Sequence, residues 1–267
     1  MAEKIVFKLG SNFIFRWTIS FAVMIFLLIG VYNVHAVPLN LHGWTEESLP
    51  NGWDPAPNWV VSSDGLSVTE TTNTYPSFFY SDIVTSMGIK DLSVSITVSS
   101  SGGDNDLIGF ALGFDPGETT NPSADFLLVD WKKESQWYSG SYSPAGLAIS
   151  QVSGLPNSWP DFWDHTGSLT ELQRATTLGS TGWNHNTNYD FDIDFTPTEL
   201  NISVNGIQQF SLTGSFNDGR LAFYDFSQPQ PTYQVSGTVP SPIPEPSSFL
   251  LFFSCLVGMV GIKKITE

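Results

Sequence analysis

The feature that most constrains the fold of this sequence is a strict alternation of apolar residues with serine and threonine. Between Leu92 and Val98 every second residue is Leu, Val or Ile, and the residues between them carry hydroxyl groups. Side chains alternate between the two faces of a β-strand, so the pattern indicates a strand with one buried face. Similar runs occur at residues 107–114, 126–131, 189–195 and 220–226. We therefore predict an all-β domain.

A short turn sequence indicates how two of these strands are joined. Asn205-Gly206 lies between the strand-like segments 200–204 and 207–212. Asn and Gly tolerate the positive φ angles of a type I′ turn, which closes a two-residue β-hairpin. Residues 169–177 are the one stretch whose apolar pattern is compatible with a longer helix. Several short strands separated by Gly, Pro and Asn predict an antiparallel sandwich of jelly-roll type.

The C-terminal end combines a proline motif, an apolar segment and two lysines. Pro244-Glu245-Pro246 precedes an uncharged run at residues 249–262, which Lys263 and Lys264 follow. The run has about 14 residues, whereas a membrane-spanning helix needs roughly 20. This arrangement resembles the PEP-CTERM tail that bacterial exosortases recognise and process, a tail also labelled ice-binding protein C-terminal. The resemblance implies a short membrane helix and a sorting motif; an ordinary membrane anchor after a Pro-rich linker is the alternative.

The N-terminal end has the features of a signal peptide. Lys4, Lys8 and Arg16 precede an uncharged run at residues 17–34, and Ala36 lies where signal peptidase would cut. We predict a signal helix that is removed by cleavage after Ala36; an uncleaved N-terminal anchor is the alternative. The positive charges at both ends favour a cytoplasmic position for both flanks. We therefore expect the region between them to be exported to the bacterial cell envelope, outer surface or extracellular matrix, with transient membrane anchoring.

These features divide the chain into four segments. We predict a signal peptide at residues 1–36, the β-sandwich at 37–228, a Pro-rich linker with the PEP motif at 229–246, and a membrane and sorting segment at 247–267. Six prolines between Pro229 and Pro246 favour an extended spacer for the linker.

Charge and cysteine content exclude several partners and stabilising elements. The ten Lys and Arg are outnumbered by 26 Asp and Glu. Half of the basic residues lie in the two ends, so the exported region carries a net charge of about −19. Such a surface repels nucleic acid and anionic lipid. The sole cysteine, Cys255, lies in the C-terminal apolar run, so no disulfide can form within the sandwich.

Four segments of the predicted sandwich resemble a known extracellular module. They are residues 104–114, residues 125–133, Trp163 to Gly167 with Gly182-Trp183 downstream, and residues 219–228. In this order they are similar to the thrombospondin C-terminal domain, a concanavalin-like lectin sandwich, over most of residues 92–234. The resemblance implies a calcium-loaded, non-enzymatic module used in matrix or cell-surface contacts. The animal modules use a cysteine that has no counterpart in this sandwich, and their preceding calcium-binding repeats have no counterpart here either, so ligand identity does not carry over.

Asp104 and Asp106 are the candidate metal ligands. They flank Asn105 immediately before a predicted strand. Carboxylates one residue apart on a turn suit calcium, which binds about 6 to 8 oxygens. Spacing and family resemblance together predict a calcium site, and a polar turn that caps the strand is the alternative. A buried Asp130 would need a partner such as Lys132 or a cation.

Other polar and aromatic residues have less specific patterns. Asp190, Asp192 and Asp194 share one strand face, where a solvated surface explains them better than a catalytic carboxylate pair. Two histidines, His165 and His185, lack a third close ligand for zinc. Exposed tryptophans stack on sugar rings, but core packing is the favoured interpretation of the four in the loop-rich centre. These four are Trp137, Trp159, Trp163 and Trp183.

The preferred functional hypothesis is an exported, non-catalytic binding or adhesion protein of the cell envelope or exopolymer matrix. Its expected partners are signal peptidase and exosortase during export, and a carbohydrate or matrix polymer afterwards. The alternative is a secreted glycan-active hydrolase, which requires a carboxylate pair in a cleft. Ice binding rests on the label of the tail alone. We expect binding to involve the long stretch 134–189 or the acidic turn before Leu107.

Overall fold

Two antiparallel sheets of seven strands each form the body of the protein. The computed structural model describes residues 36–50, 54–82, 89–156, 159–236 and 238–240. In this part of the chain the strands are β1 (Ala36–Pro38), β2 (Thr45–Ser48), β3 (Trp59–Val61), β4 (Ser67–Glu70), β5 (Ser77–Tyr80), β6 (Ile89–Val98), β7 (Leu107–Phe114), β8 (Asp125–Lys132), β9 (Gln136–Tyr138), β10 (Ser141–Ser143), β11 (Gly146–Ser153), β12 (Leu169–Arg174), β13 (Asn188–Phe195), β14 (Glu199–Val204), β15 (Ile207–Thr213), β16 (Arg220–Phe226), β17 (Pro231–Ser236) and β18 (Thr238–Pro240). The helices of the same ranges are α1 (Trp159–Asp164) and three 3₁₀ helices at Leu41–Gly43, Ser100–Gly102 and Glu118–Thr120.

The strand order defines the two layers. Sheet 1 has the order β12-β11-β8-β7-β16-β5-β2, and sheet 2 has the order β15-β14-β13-β6-β17-β4-β3. Strands distant in sequence, such as β7 and β16 or β6 and β17, are antiparallel neighbours. A separate hairpin pairs β9 with β10. The predicted antiparallel all-β sandwich is therefore confirmed. Both predicted terminal helices lie outside the described residues, and no helix of the described part is long and apolar enough to cross a membrane.

The main core lies between the two sheets. On β6, Leu92, Val94, Ile96 and Val98 are buried, and the hydroxyl residues between them are partly exposed on the outer face of sheet 2. The apolar half of the strand packs in the cluster that also contains Phe110 of sheet 1. One face of sheet 2 is therefore buried and the other is polar, as the alternation predicts.

Sheet 1 is covered on both faces. Every residue of β7 is buried, because a second apolar cluster lies on the outer face of this sheet. Phe78, Phe126 and Tyr224 of the sheet pack there with Phe162 and Trp163 of α1. The segment that contains α1 therefore acts as a cover over the outer face of sheet 1.

Two local sequence interpretations have different outcomes. At the hairpin of β14 and β15, Asn205 and Gly206 have φ angles of 50° and 75°, which confirms the predicted type I′ geometry. The helical interpretation of residues 169–177 is wrong, because Leu169–Arg174 is strand β12 at the edge of sheet 1. Pairing with β11 satisfies the backbone of this short segment on one side.

The predicted linker begins too early in the sequence. Pro231–Ser236 is strand β17, which lies between β6 and β4 inside sheet 2. Its residues Tyr233 and Val235 are buried in the main core. Pro231 is the first residue of the strand, a position that tolerates a missing N–H group. The sandwich therefore continues to Ser236, beyond the predicted boundary at residue 228.

The segments assigned to targeting lie almost entirely outside the described residues. This holds for residues 1–35 and for the sorting motif of Pro244, Glu245, Pro246, Lys263 and Lys264. Ala36, the predicted cleavage position, is described. It begins β1, where it pairs with Pro240 of β18.

Candidate functional site

A pocket of about 410 Å³ opens beside the outer face of sheet 1. Its lining combines aromatic rings with carboxylate, amide and hydroxyl groups. The lining residues are Asp54, Tyr75, Asp104, Asp106, Gln136, Tyr138, Trp159, Trp163, Phe226 and Ser227. Clustered rings and convergent polar groups in one concavity are typical of a small-molecule binding site.

The aromatic wall is built from α1 and the β9–β10 hairpin. Trp159 and Trp163 are four residues apart, which places them on one face of the helix. Tyr138 lies against both, with ring centroids 5.4 Å from Trp159 and 6.1 Å from Trp163. Trp163 also contacts Phe226 of β16 edge to face at 5.8 Å. Trp163 is 3% exposed, so it anchors the wall, whereas Trp159 is only partly buried.

The β9–β10 hairpin carries aromatic residues on both of its faces. Its turn residues Ser139 and Gly140 both have positive φ angles, 47° and 90°. Tyr138 faces the pocket, while Trp137 is 71% exposed and packs against Tyr142 in a tilted arrangement, with ring centroids 5.1 Å apart. The hairpin therefore forms one rim of the pocket and presents a second aromatic surface to solvent.

Lys132 lies behind the acidic side of the pocket. Its Nζ donates hydrogen bonds to the Asn105 carbonyl oxygen at 3.0 Å, to Asn105 Oδ1 at 3.3 Å and to Gln136 Oε1 at 3.0 Å. It also forms an ion pair with Asp106, and it lies 4.3 Å from the centroid of the Trp163 ring. Burial lowers the pKa of Lys132, but the Asp106 carboxylate opposes this shift.

The two predicted metal ligands line the same pocket but have different environments. Asp104 is partly exposed and accepts hydrogen bonds from Asn73 Nδ2 at 3.1 Å and from the Asn105 backbone N–H at 2.9 Å. Asp106 is buried, and burial raises its pKa while the Lys132 ammonium lowers it. No group of three or more His, Cys, Asp or Glu in the described ranges could hold a metal ion. The Asp106 oxygen that faces Lys132 is already bound to a cation, so this donor set does not fit calcium as it stands.

Asp130 has a different partner from the predicted one. His165 Nε2 lies 2.8 Å from Asp130 Oδ2, and His165 Nδ1 lies 3.2 Å from Glu171 Oε2. Burial alone would lower the pKa of His165, but the Asp130 and Glu171 carboxylates together outweigh it and raise the pKa to about 9. The hydrogen bond from His165 lowers the pKa of Glu171 to about 2. A protonated His165, rather than Lys132, therefore neutralises Asp130 and ties the α1 cover to sheet 1.

The less specific interpretations hold for most of the remaining candidates, but not for Trp137, which is exposed and not part of the core. Asp190, Asp192 and Asp194 are exposed on sheet 2, which is not the sheet that carries the pocket. Trp183 is buried in the main core, where its Nε1 donates to the Asp106 carbonyl oxygen at 3.1 Å. His185 packs edge to face on Trp183.

Several pocket residues had no signal in the sequence. Asp54, Tyr75 and Gln136 come from separate loops and strands that only the fold brings together. The role of Lys132 also depends on strand pairing, because β7 and β8 place Lys132 opposite Leu107 and hence next to Asp106.

A family model matches the described sandwich. The model, described as the thrombospondin C-terminal region, matches residues 54–235. The chain belongs to this family. Thrombospondin-3b of Danio rerio is 24% identical over 192 residues, which cover 64% of this chain and 20% of the relative. The chain therefore spans about a fifth of the length of that relative.

Solved structures with a similar sandwich come from diverse proteins. A carbohydrate binding module, CBM66 from Bacillus subtilis, has a TM-score of 0.48 and 12% identity over 73% of this chain and 95% of the module. A Bacillus licheniformis beta-glucanase has a TM-score of 0.41 and 11% identity over 76% of this chain and 97% of the enzyme. A tetrameric galectin from Cinachyrella sp. has a TM-score of 0.37 and 14% identity over 61% of this chain and 99% of the galectin. None of these similarities indicates a ligand or a reaction for this family member.

Proposed function

We propose that this protein is an exported, non-catalytic glycan-binding module of the bacterial cell envelope or exopolymer matrix. The observation that carries the proposal is the pocket with aromatic rings on one side and acidic and amide groups on the other. The C-terminal motif and the apolar ends support export and exosortase sorting, with membrane contact confined to the targeting segments.

The pocket chemistry matches a sugar ring. A pyranose has apolar faces that pack on aromatic rings and hydroxyl groups at its rim that hydrogen-bond to carboxylates and amides. Trp159 and Tyr138 provide partly exposed rings, and Asp104 and Gln136 provide acceptor oxygens. A ligand that enters between them meets both kinds of partner at once.

The charge of the pocket restricts the class of glycan. Asp54, Asp104 and Asp106 line it, and Lys132 forms an ion pair with Asp106. The excess negative charge repels uronic acids and sulfated sugars and attracts protonated amino sugars. The proposed ligand is therefore a neutral or amino-sugar polymer.

A glycan hydrolase is the second candidate, because Asp106 and Asp104 share the pocket and burial raises the pKa of Asp106. An acid with a raised pKa beside an ionised carboxylate is the arrangement of a general acid and its partner. The contact with Lys132 opposes this role, since it stabilises the ionised form of Asp106. Release of reducing sugar by the wild type, with loss of release in Asp106→Asn, would favour the hydrolase over the binding module.

The binding proposal is tested by isothermal titration calorimetry of the full chain against neutral, amino-sugar and uronic-acid oligosaccharides. Trp159→Ala should weaken binding by about 5-fold to 30-fold, as expected for the loss of roughly 1–2 kcal/mol of ring contact. The matched control is Asp190→Asn on sheet 2, which should bind as the wild type does. Absence of binding to every glycan, or equal affinity of wild type and Trp159→Ala, would contradict the proposal.

A further inference from the structure

We infer that the ammonium group of Lys132 takes the place of a divalent cation in this domain. The family resemblance implies calcium, and the sequence predicts calcium at Asp104 and Asp106. At this position the chain supplies its own cation on a side chain. The loop that carries the two aspartates is therefore held without a free metal ion.

The contacts of Lys132 Nζ resemble a coordination shell. Four oxygens surround it: one backbone carbonyl, two side-chain amide oxygens and one carboxylate. These are the oxygen types that bind calcium in proteins. The N···O distances of 3.0–3.3 Å to Asn105 and Gln136 are hydrogen-bond distances, about 0.5 Å or more longer than calcium–oxygen bonds. An ammonium group therefore satisfies the shell as it stands.

The surrounding charges also suit a cation. Asp104 and Glu134 lie close enough to raise the pKa of Lys132, in addition to Asp106. Glu134 Oε2 accepts a hydrogen bond from Asn105 Nδ2 at 3.2 Å, which holds the Asn105 amide oxygen toward Nζ. Lys132 thus faces three carboxylates, of which Glu134 also contacts Lys133 at 3.9 Å. Removing the Lys132 ammonium group would leave its oxygen partners without a donor and would leave their negative charge uncompensated. Such a group of oxygens is the environment in which acidic sites bind a metal cation.

The ammonium group of Lys132 connects two parts of the pocket. It connects the loop before β7, through Asn105 and Asp106, to β9 through Gln136. Strand β9 carries Tyr138, a wall residue of the pocket. The same loop is fixed a second time by the Asp106 backbone N–H, which donates a hydrogen bond to Gln228 Oε1 at 3.1 Å. The ammonium therefore joins the acidic side of the pocket to its aromatic rim.

An ordinary buried ion pair makes a different prediction. If Lys132 only neutralises Asp106, its removal destabilises the domain and calcium gives no specific rescue. If the ammonium replaces a cation, the oxygens that it leaves can accept calcium. Magnesium requires a stricter octahedral geometry and shorter bonds, so it should rescue less well.

The experiment compares thermal melts of the full chain in 10 mM calcium, in magnesium at equal ionic strength, and in chelator. In Lys132→Ala, calcium should raise the melting temperature about 3–6 °C above the magnesium value, as expected for roughly ten times the Kd of a weak extracellular calcium site. The matched control is Lys133→Ala, which removes the neighbouring lysine whose carboxylate contact is Glu134 at 3.9 Å. This control should respond as the wild type does.

Either of two results from the thermal melts would overturn the inference. One is an equal response to calcium in Lys132→Ala and in wild type. The other is a calcium-specific shift of the wild type that Asp106→Asn abolishes, since calcium would then occupy the loop beside Lys132. If Lys132→Ala does not fold in chelator, refolding yield in calcium against magnesium becomes the readout, and equal failure in both salts contradicts the inference. Lys132→Met, which fills the volume of the side chain without its charge, should show no calcium-specific shift.

Discussion

Asp225 provides a stability prediction that depends on one buried carboxyl group. The side chain is 0% exposed, and within the described part of the chain neither carboxyl oxygen has a hydrogen-bond partner of normal geometry. Burial raises its pKa well above the usual 3.8, the nearby Glu70 carboxylate adds to the shift, and the Gln228 backbone N–H only partly opposes it. The folded protein therefore holds a proton on Asp225 at pH values where the unfolded chain has released it.

The direction of the pH dependence follows from this shift. The pKa of Asp225 is higher in the folded protein than in the unfolded chain. The contribution of Asp225 to the free energy of unfolding is therefore complete below pH 3.8 and is lost as the pH rises toward the folded pKa. The loss is about 1.4 kcal/mol per pH unit for one proton. The free energy of unfolding should therefore fall through Asp225 as the pH rises above 3.8, for as long as the folded protein keeps the proton that the unfolded chain has released.

Urea unfolding of wild type and Asp225→Asn at pH 4.5, 5.5 and 6.5 measures this contribution. Asn is neutral at each pH. Burial of its amide therefore changes the free energy of unfolding by the same amount at each pH and does not change the pH dependence. The difference in stability between the two proteins should shift in favour of the variant as the pH rises, by up to about 1.4 kcal/mol per pH unit. Asp190→Asn, an exposed site, is the control and should leave the slope unchanged. Parallel pH profiles for wild type and Asp225→Asn would show that Asp225 does not hold a proton in the folded protein.

Three further predictions concern the α1 cover, the aromatic residues and the tail. His165→Gln should lower the free energy of unfolding by about 3 kcal/mol below pH 6.5, because Asp130 raises the pKa of folded His165. The wild type itself loses this stabilisation as the pH rises through about 9, the folded pKa. Urea unfolding at pH 6 and pH 9 measures the cost of the substitution, and an equal cost at both pH values would contradict the prediction. Trp163→Ala should lower the free energy of unfolding by about 3–5 kcal/mol, as measured in urea, because Trp163 is buried. Trp137 is exposed, so Trp137→Ala should change the free energy of unfolding by no more than about 0.5 kcal/mol. Similar losses in the two variants would contradict the role of Trp163 as the buried residue of the aromatic wall. Replacing residues 244–246 with alanine should leave unprocessed protein in the membrane fraction, and export at wild-type mass would exclude the sorting role.

Sequence patterns predicted the layers of the fold well where one physical signal dominated. The alternation from Leu92 to Val98 reports one-sided burial directly, and β6 has that burial. The prolines near the end of the sandwich carried two meanings. They favour extended chain in a linker, but a proline also fits the first position of a strand, and Pro231 has that position in β17. Only the partners β6 and β4, which are distant in sequence, distinguish the two cases.

The pocket was predictable in its residue types but not in its connections. The acidic turn at Asp104 and Asp106 was singled out in the sequence as a binding candidate, and both residues line the pocket. Core packing was the favoured interpretation of Trp159 and Trp163, yet both also line the pocket. Their relation to Lys132 was not, because the register of β7 against β8 decides which side chain faces Asp106. A carboxylate that looks available for a metal in the sequence is therefore paired in the fold.

A crystal structure with a bound oligosaccharide would show whether the pocket between Asp104 and Trp159 binds a glycan. The oligosaccharide should be the neutral or amino-sugar compound that binds most tightly in calorimetry. We expect a sugar ring packed on Trp159 or Tyr138, with hydroxyl or ammonium groups within hydrogen-bond distance of Asp104 or Gln136. A sugar seated instead on the outer face of sheet 2, beside Asp190 and Asp192, would contradict this expectation.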